Sequence, residues 1–288
     1  MPTQETSGLT LEPDRSSRHQ VGIRASPAEV YQALTDPGHL SRWFVSEASI
    51  DLRQGGAYRW VFGEATGSPG PDPLVAAGTF VTLVPHELLR LRAIVEEIET
   101  DLEFRLDPWR DGAILTVTHS GFPGEDDWDD TFRSIDQGWA SEIQILKLYL
   151  EKARGMVRRS FFHEARLAAT AESLFERFTT SYGLGSWLAE RAAADPAPGG
   201  GLRLEWDGRP PIDGRFVIYE PDHFLAMTLE AEKPSVVRVF IGESGAEAAC
   251  ELRLEHRCFS PDPASFSTFD WEFGLARLAE AISRSPAT

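Results

Sequence analysis

The sequence predicts an α+β protein made of two tandem copies of one domain. Each copy is a curved antiparallel sheet wrapped around a long C-terminal helix, with two short helices after the first strand. Three observations carry this. Residues 23–44, IRASPAEVYQALTDPGHLSRWF, recur as residues 167–188, LAATAESLFERFTTSYGLGSWL, at a constant offset, since 167 − 23 and 187 − 43 are both 144. A spacing that long repeats a domain and exceeds any solenoid period. Each copy is followed by segments that alternate apolar and polar residues, the pattern of half-buried strands. Each series then closes on a helical stripe, Trp139, Ile143, Leu146 and Leu150 in one and Trp271, Leu275, Leu278 and Ile282 in the other.

The elements follow in order. Residues 1–17 are polar and read as a loose, flexible tail, and the first strand spans about 18–25. Ser26-Pro27-Ala28-Glu29 starts a helix, with Ser as cap, Pro at the first position and Glu three residues after the cap. Asp36-Pro37-Gly38 breaks that helix, and a second short one carries Leu40, Trp43 and Phe44. In residues 55–62 alternation puts Tyr58, Trp60 and Phe62 on one face. Residues 63–73, GEATGSPGPDP, form a loop and a candidate lid. Further strands run at about 78–84, 88–95, 100–107 and 114–121, the last setting Leu115, Val117 and His119 on one side. Arg90 and Arg92 alternate with Leu89 and Leu91 and face solvent. The acidic run 125–130 suits the positive N-terminus of the long helix better than a metal site. Gly155 ends that helix and the next strand starts at about 157, leaving no flexible linker. The expected domains, 18–155 and 156–288, should therefore pack against each other. In the second, Trp206, Phe216, His256 and Trp271 stand where the first has Phe62, Phe80, His119 and Trp139, and residues 207–211 shorten the candidate lid.

With 288 residues, 42% hydrophobic and 25% charged, the chain has the composition of ordinary globular domains. A net charge of −17 argues against a nucleic-acid or anionic-membrane partner. No apolar run approaches the roughly 20 residues needed to span a bilayer, and the polar start has no signal-peptide core, so the expected location is the cytoplasm. Only three of the 28 basic residues are Lys, an Arg bias that suggests a GC-rich bacterial source. Cys250 and Cys258 share one predicted strand, which at about 3.3 Å per residue puts them about 26 Å apart, beyond disulfide reach. They lack metal-site spacing and read as small buried residues. Neither a metal nor a cofactor is expected.

The segments 25–31, 40–44, 84–88 and 118–122, with Gly55-Gly56 and Gly138-Trp139, resemble the SRPBCC superfamily, also called START-like or helix-grip. Within it they resemble the bacterial branch named after the heat-shock-protein ATPase activator. Domain 1 matches along its whole length. Domain 2 matches the frame but departs in detail: Trp271-Glu272 replaces the Gly-Trp helix start, and His256-Arg257-Cys258 replaces the His-Ser-Gly stretch. The resemblance implies a cavity for a small hydrophobic molecule between sheet and helix. It does not imply one chemistry, because members include lipid carriers, hormone receptors and polyketide aromatases and cyclases, and a fold hosts many functions.

The residues expected to line the first cavity are Tyr58, Trp60, Phe62, Phe80, His119, Trp139, Ile143 and Trp43. For a second-domain pocket they are Trp187, Trp206, Phe216, His256 and Trp271. His119 shares the inward register, so it is either a general base or a hydrogen-bonded side chain near the cavity rim. Asp136, one turn before the inward stripe, is a lesser candidate. No nucleophile elbow, zinc-protease motif or phosphate loop appears. The leading expectation is binding or sequestration of a small hydrophobic or aromatic molecule, mainly in domain 1. The alternative is a cyclase, aromatase or hydrolase of bacterial secondary metabolism using His119. A third is a co-chaperone-like protein-interaction module, and a homodimer is open.

Overall fold

In the computed structural model, which describes residues 15–63, 74–243, 249–262 and 271–284, the chain forms two seven-stranded antiparallel sheets. The first half runs β1 (Arg15–Ile23), α1 (Pro27–Thr35), α2 (Pro37–Trp43), β2 (Glu47–Ile50), β3 (Ala57–Phe62), β4 (Leu74–Val84), β5 (Leu88–Val95), β6 (Ile98–Trp109), β7 (Gly112–Phe122) and α3 (Asp129–Lys152). The second half repeats it as β8 (Val157–Leu167), α4 (Ala171–Thr179), α5 (Ser181–Trp187), β9 (Arg191–Ala194), β10 (Gly201–Glu205), β11 (Ile212–Glu220), β12 (Phe224–Leu229), β13 (Ser235–Glu243), β14 (Cys250–Ser260) and α6 (Trp271–Ser283). The spatial order is β1-β7-β6-β5-β4-β3-β2 in one sheet and β8-β14-β13-β12-β11-β10-β9 in the other. After its first strand, each sheet is a simple meander whose last strand returns to pair with the first.

Local chemistry repeats as closely as topology. The Ser26 hydroxyl accepts from the Glu29 N–H at 3.3 Å, and the Glu29 carboxylate accepts from the Ser26 N–H at 2.8 Å, closing the capping box. Thr170 caps α4 through its hydroxyl alone, accepting from the Ser173 N–H at 3.2 Å. The Trp43 indole donates to the Ala33 carbonyl at 2.9 Å, and Trp187 donates to the Arg177 carbonyl at the same distance. Each bond ties a second short helix to the first. A Cβ on Gly56 would lie 2.0 Å from the Asp51 carbonyl oxygen, and one on Gly200 would lie 2.0 Å from that of Asp195. Only glycine fits either turn. Register shifts between Phe80 and Thr82 and between Phe216 and Ile218 put a bulge at matching places. Such bulges bend a sheet and increase its local twist, which helps each sheet curve around its helix.

One expectation is corrected, and two details are added. β1 begins at Arg15, so residues 15–17, expected in the tail, belong to the sheet, where Ser16 pairs with Ser120 and Ser17 with His119. Pairing with β7 satisfies backbone groups that the polar sequence alone gave no reason to order. β2 is an edge strand of four residues, too short for alternation to announce. Among the described residues the second long helix, α6, has 13 residues against 24 in α3. Residues 1–14 and the candidate lid, apart from Gly63, lie outside the described residues.

The halves are not beads on a string. The Arg158 guanidinium on β8 donates to the carbonyls of Trp43 at 2.7 Å and Phe44 at 2.9 Å. The rings of Tyr149 on α3 and Phe259 on β14 are 5.9 Å apart, and Val236 and Phe259 pack into the first half's core. The Gln137 amide donates to the Glu220 carboxylate at 2.7 Å. α3 thus serves two neighbours, its own sheet on one side and the second half on the other.

Candidate functional site

Between the curved first sheet and α3 lies a cavity of about 650 Å³. Alternation along β3 turns Tyr58 and Trp60 inward, 2% and 4% exposed, and sets Phe62 beside them. Phe44, at the end of α2, bridges sheet and helix. Its ring meets Trp60 edge-on at 5.2 Å and Phe62 at 5.0 Å, and stacks on Trp139 of α3 at 5.9 Å. Tyr58 and Trp60 lie 4.5 Å apart, tilted. Leu102 and Ile135 add aliphatic wall, and the exposed Leu74, Val75 and Ile94 stand at the rim. There the Thr131 hydroxyl of α3 donates to the Glu96 carboxylate of the β5–β6 turn at 2.9 Å.

Most of the expected lining is brought together, with exceptions. Tyr58, Trp60, Phe62, His119 and Trp139 line the cavity. Phe80, Ile143 and Trp43 are buried in the core and are not on its wall. Trp43 is held away by its bond to Ala33 while the next residue, Phe44, faces the cavity. Glu142 was not foreseen. It sits three residues after Trp139 on the same helical stripe, and a charged residue there was the available signal.

His119 is a satisfied side chain. The Trp139 indole N–H donates to its Nδ1 at 3.1 Å, so Nδ1 carries no proton. Nε2 therefore holds the proton and donates to the Thr100 hydroxyl at 2.8 Å, which passes its own proton toward the Ala93 carbonyl at 3.4 Å. Burial pushes the imidazole down to about 4, against an opposing pull from Asp101. The ring is neutral near pH 7, with both nitrogens used. Asp136 pairs with His19 at 2.8 Å on the β1 side and does not line the cavity.

The polar surprise lies where the halves meet. The Arg238 guanidinium donates to Glu255 at 2.9 Å, Arg257 bonds the other Glu255 oxygen, and Arg257 also bonds Oε1 of Glu142. Burial would raise Glu255, but Arg257 and Arg238 overcome it and hold that carboxyl down at about 2. A buried chain of alternating charge thus runs from β13 through β14 to α3 and ends at the cavity wall.

The second half has a different opening, of about 860 Å³, near α5, β10 and α6. Trp187 and Trp206 border it, with charged neighbours that include Asp207, Arg209, Glu232 and Lys233. Phe216, His256 and Trp271 lie in the core and not on its wall. The Trp271 indole N–H donates to Nδ1 of His256 at 3.0 Å, repeating the Trp139–His119 bond. Burial pushes His256 down to about 3, aided by His163.

The family model described as activator of Hsp90 ATPase homolog 1-like protein matches the chain twice, over residues 24–151 and 168–281. No curated protein matches it. Among solved structures, BexL, a di-domain ARO/CYC from the BE-7585A biosynthetic pathway, is similar at 16% identity and a TM-score of 0.42, over 95% of this chain and 99% of that one. DynU16, from the dynemicin biosynthetic locus, is similar at 19% identity and a TM-score of 0.41, over 94% and 95%. The Aha1 dimer from Colwellia psychrerythraea is similar at 22% identity and a TM-score of 0.40, over 48% of this chain and 96% of its own.

Proposed function

Because the chain belongs, through both halves, to the family of activator of Hsp90 ATPase homolog 1-like proteins, a helix-grip family, we propose that its first half binds a small, flat, largely apolar molecule between β3 and α3. The observation that carries this is the wall itself. Phe44, Tyr58, Trp60, Phe62 and Trp139 converge on one space of about 650 Å³, within the usual range for a small-molecule site. Aromatic faces stack on flat ligands and contribute beyond the area they bury. His119, with both nitrogens engaged, supports holding a ligand over abstracting a proton from it.

Native mass spectrometry of the protein from its own host, before and after denaturation, tests the reading. The expected result is a small apolar molecule released on denaturation and quenching of tryptophan emission when it is added back. Trp60→Ala removes a central wall and should weaken binding by about tenfold or more. If nothing is released and no flat aromatic quenches the emission, the proposal fails.

A further inference from the structure

The end of α2 is held by the other half of the chain. A helix leaves its last carbonyls without partners, and α2 closes on Trp43 with Phe44 as its cap. The carbonyls of both residues accept from one nitrogen of the Arg158 guanidinium, at 2.7 and 2.9 Å. A cation there also suits the negative end of the helix dipole. Arg158 belongs to β8 and is half-buried. Its register neighbour on β14, Phe259, is buried in the first half's core. The residue that Arg158 pins is the hub of the aromatic wall, because Phe44 touches Trp60 and Phe62 on the sheet and Trp139 on α3. Bonds to two successive carbonyls fix where that ring stands.

The second half meets the same need by itself. Leu188 stands where the first half has Phe44, and its carbonyl accepts from the Trp206 indole N–H at 3.2 Å. Trp206 occupies the place of Phe62, and a phenyl ring has no N–H to give. The first half thus keeps two all-carbon rings, Phe44 and Phe62, on its cavity wall, and draws the missing donor from its neighbour. We infer that Arg158 is a positioning residue for the first half's cavity. It acts through Phe44, and by setting that ring it sets the gap between β3 and α3 into which a flat molecule fits. The inference rests on the binding function above and adds to it a dependence on one side chain of the second half.

N-phenyl-1-naphthylamine, a neutral aromatic that brightens in apolar surroundings, is the probe, titrated against the full chain. The signal that weakens in Trp60→Ala reports the first cavity. Arg158→Met keeps an apolar stem and removes the donors, and should weaken binding by about tenfold, as should Phe44→Leu. The double variant should also lose about tenfold in all, because without the ring Arg158 has nothing left to position, whereas independent effects multiply to about a hundredfold. Gln137→Ala breaks a different bond between the halves, to Glu220 at 2.7 Å, and should leave affinity unchanged. Near-ultraviolet circular dichroism checks folding. Should Arg158→Met not fold, Arg158→Lys, whose stem is slightly shorter, takes its place in the cycle, with a smaller loss that again vanishes beside Phe44→Leu. Unchanged binding in Arg158→Met, multiplied losses in the double variant, or an equal loss in Gln137→Ala overturns the inference and leaves the binding function standing. No binding of the probe by the unaltered chain overturns both.

Discussion

An imidazole wedged between an indole N–H and a threonine hydroxyl is a structural part with an acid liability. His119 ordinarily titrates at 6.5 and is held at about 4 by burial. As pH falls below 6.5 the unfolded chain takes up a proton that the folded chain refuses, so stability is full above 6.5 and is lost as pH falls toward 4. That gap corresponds to about 3 kcal/mol. His256, held at about 3, adds a second loss of the same sign. In His119→Gln the amide can keep both neighbours satisfied and has no proton to gain. Urea unfolding across this window should then show a clearly shallower fall, and an unchanged fall would place the acid sensitivity elsewhere. Glu255 acts later, since its contribution is present above the ordinary carboxylate value of 4.5 and is lost as pH falls toward 2. At this scale the sequence spoke through alternation. Tyr58, Trp60 and His119 are where a period of two puts them. Phe44 and Glu142 were not legible, because which residue of a helical turn reaches a cavity depends on how the helix is rotated against the sheet. Arg257 was visible only as a departure from the first half's pattern, and its partner lies 115 residues away.

Single elements show where local signals suffice. The capping box, the Pro-Gly break and the glycine doublets fix α1, α2 and the turn before β3 from neighbouring residues alone, so they could be read directly. The four-residue β2 and the start of β1 depend on partners across the sheet, and no local pattern reports those. The β5–β6 turn is a place where the sequence resists its structure. Glu96 and Glu97 both sit in the left-handed region, at φ 46° and 71°. A side chain there costs roughly 1–2 kcal/mol relative to a right-handed conformation, and hairpins of this kind favour glycine. Glu96 bonds Thr131 across the cavity rim, whereas no side-chain bond is found for Glu97 among the described residues. Glu97→Gly should therefore raise stability by about 1 kcal/mol in a thermal melt without altering ligand binding. A fall in melting temperature would show that the turn is not strained.

At the scale of the whole molecule, α3 is shared property. It fills the groove of its own sheet and carries Gln137, Glu142 and Tyr149 against the second half. The two halves should then unfold in one calorimetric transition. Arg257→Met leaves Glu142 and Glu255 short of their buried cation, a loss worth about 3–5 kcal/mol when one partner of such a pair is removed. The expected outcome is a lower and broader transition, with the first half losing order alongside the second. A sharp transition confined to the second half would mean that the halves stand independently.

The bond between Glu142 and Arg257 also bears on inheritance. In a duplicated chain, two copies are usually free to drift, each judged by its own performance. Here one copy supplies the counter-ion for a wall residue of the other, so a mutation at either position is judged by its effect on both. Such copies can be exchanged between relatives only as a matched pair. A copy whose own opening is built differently can still be retained by selection for what it contributes next door.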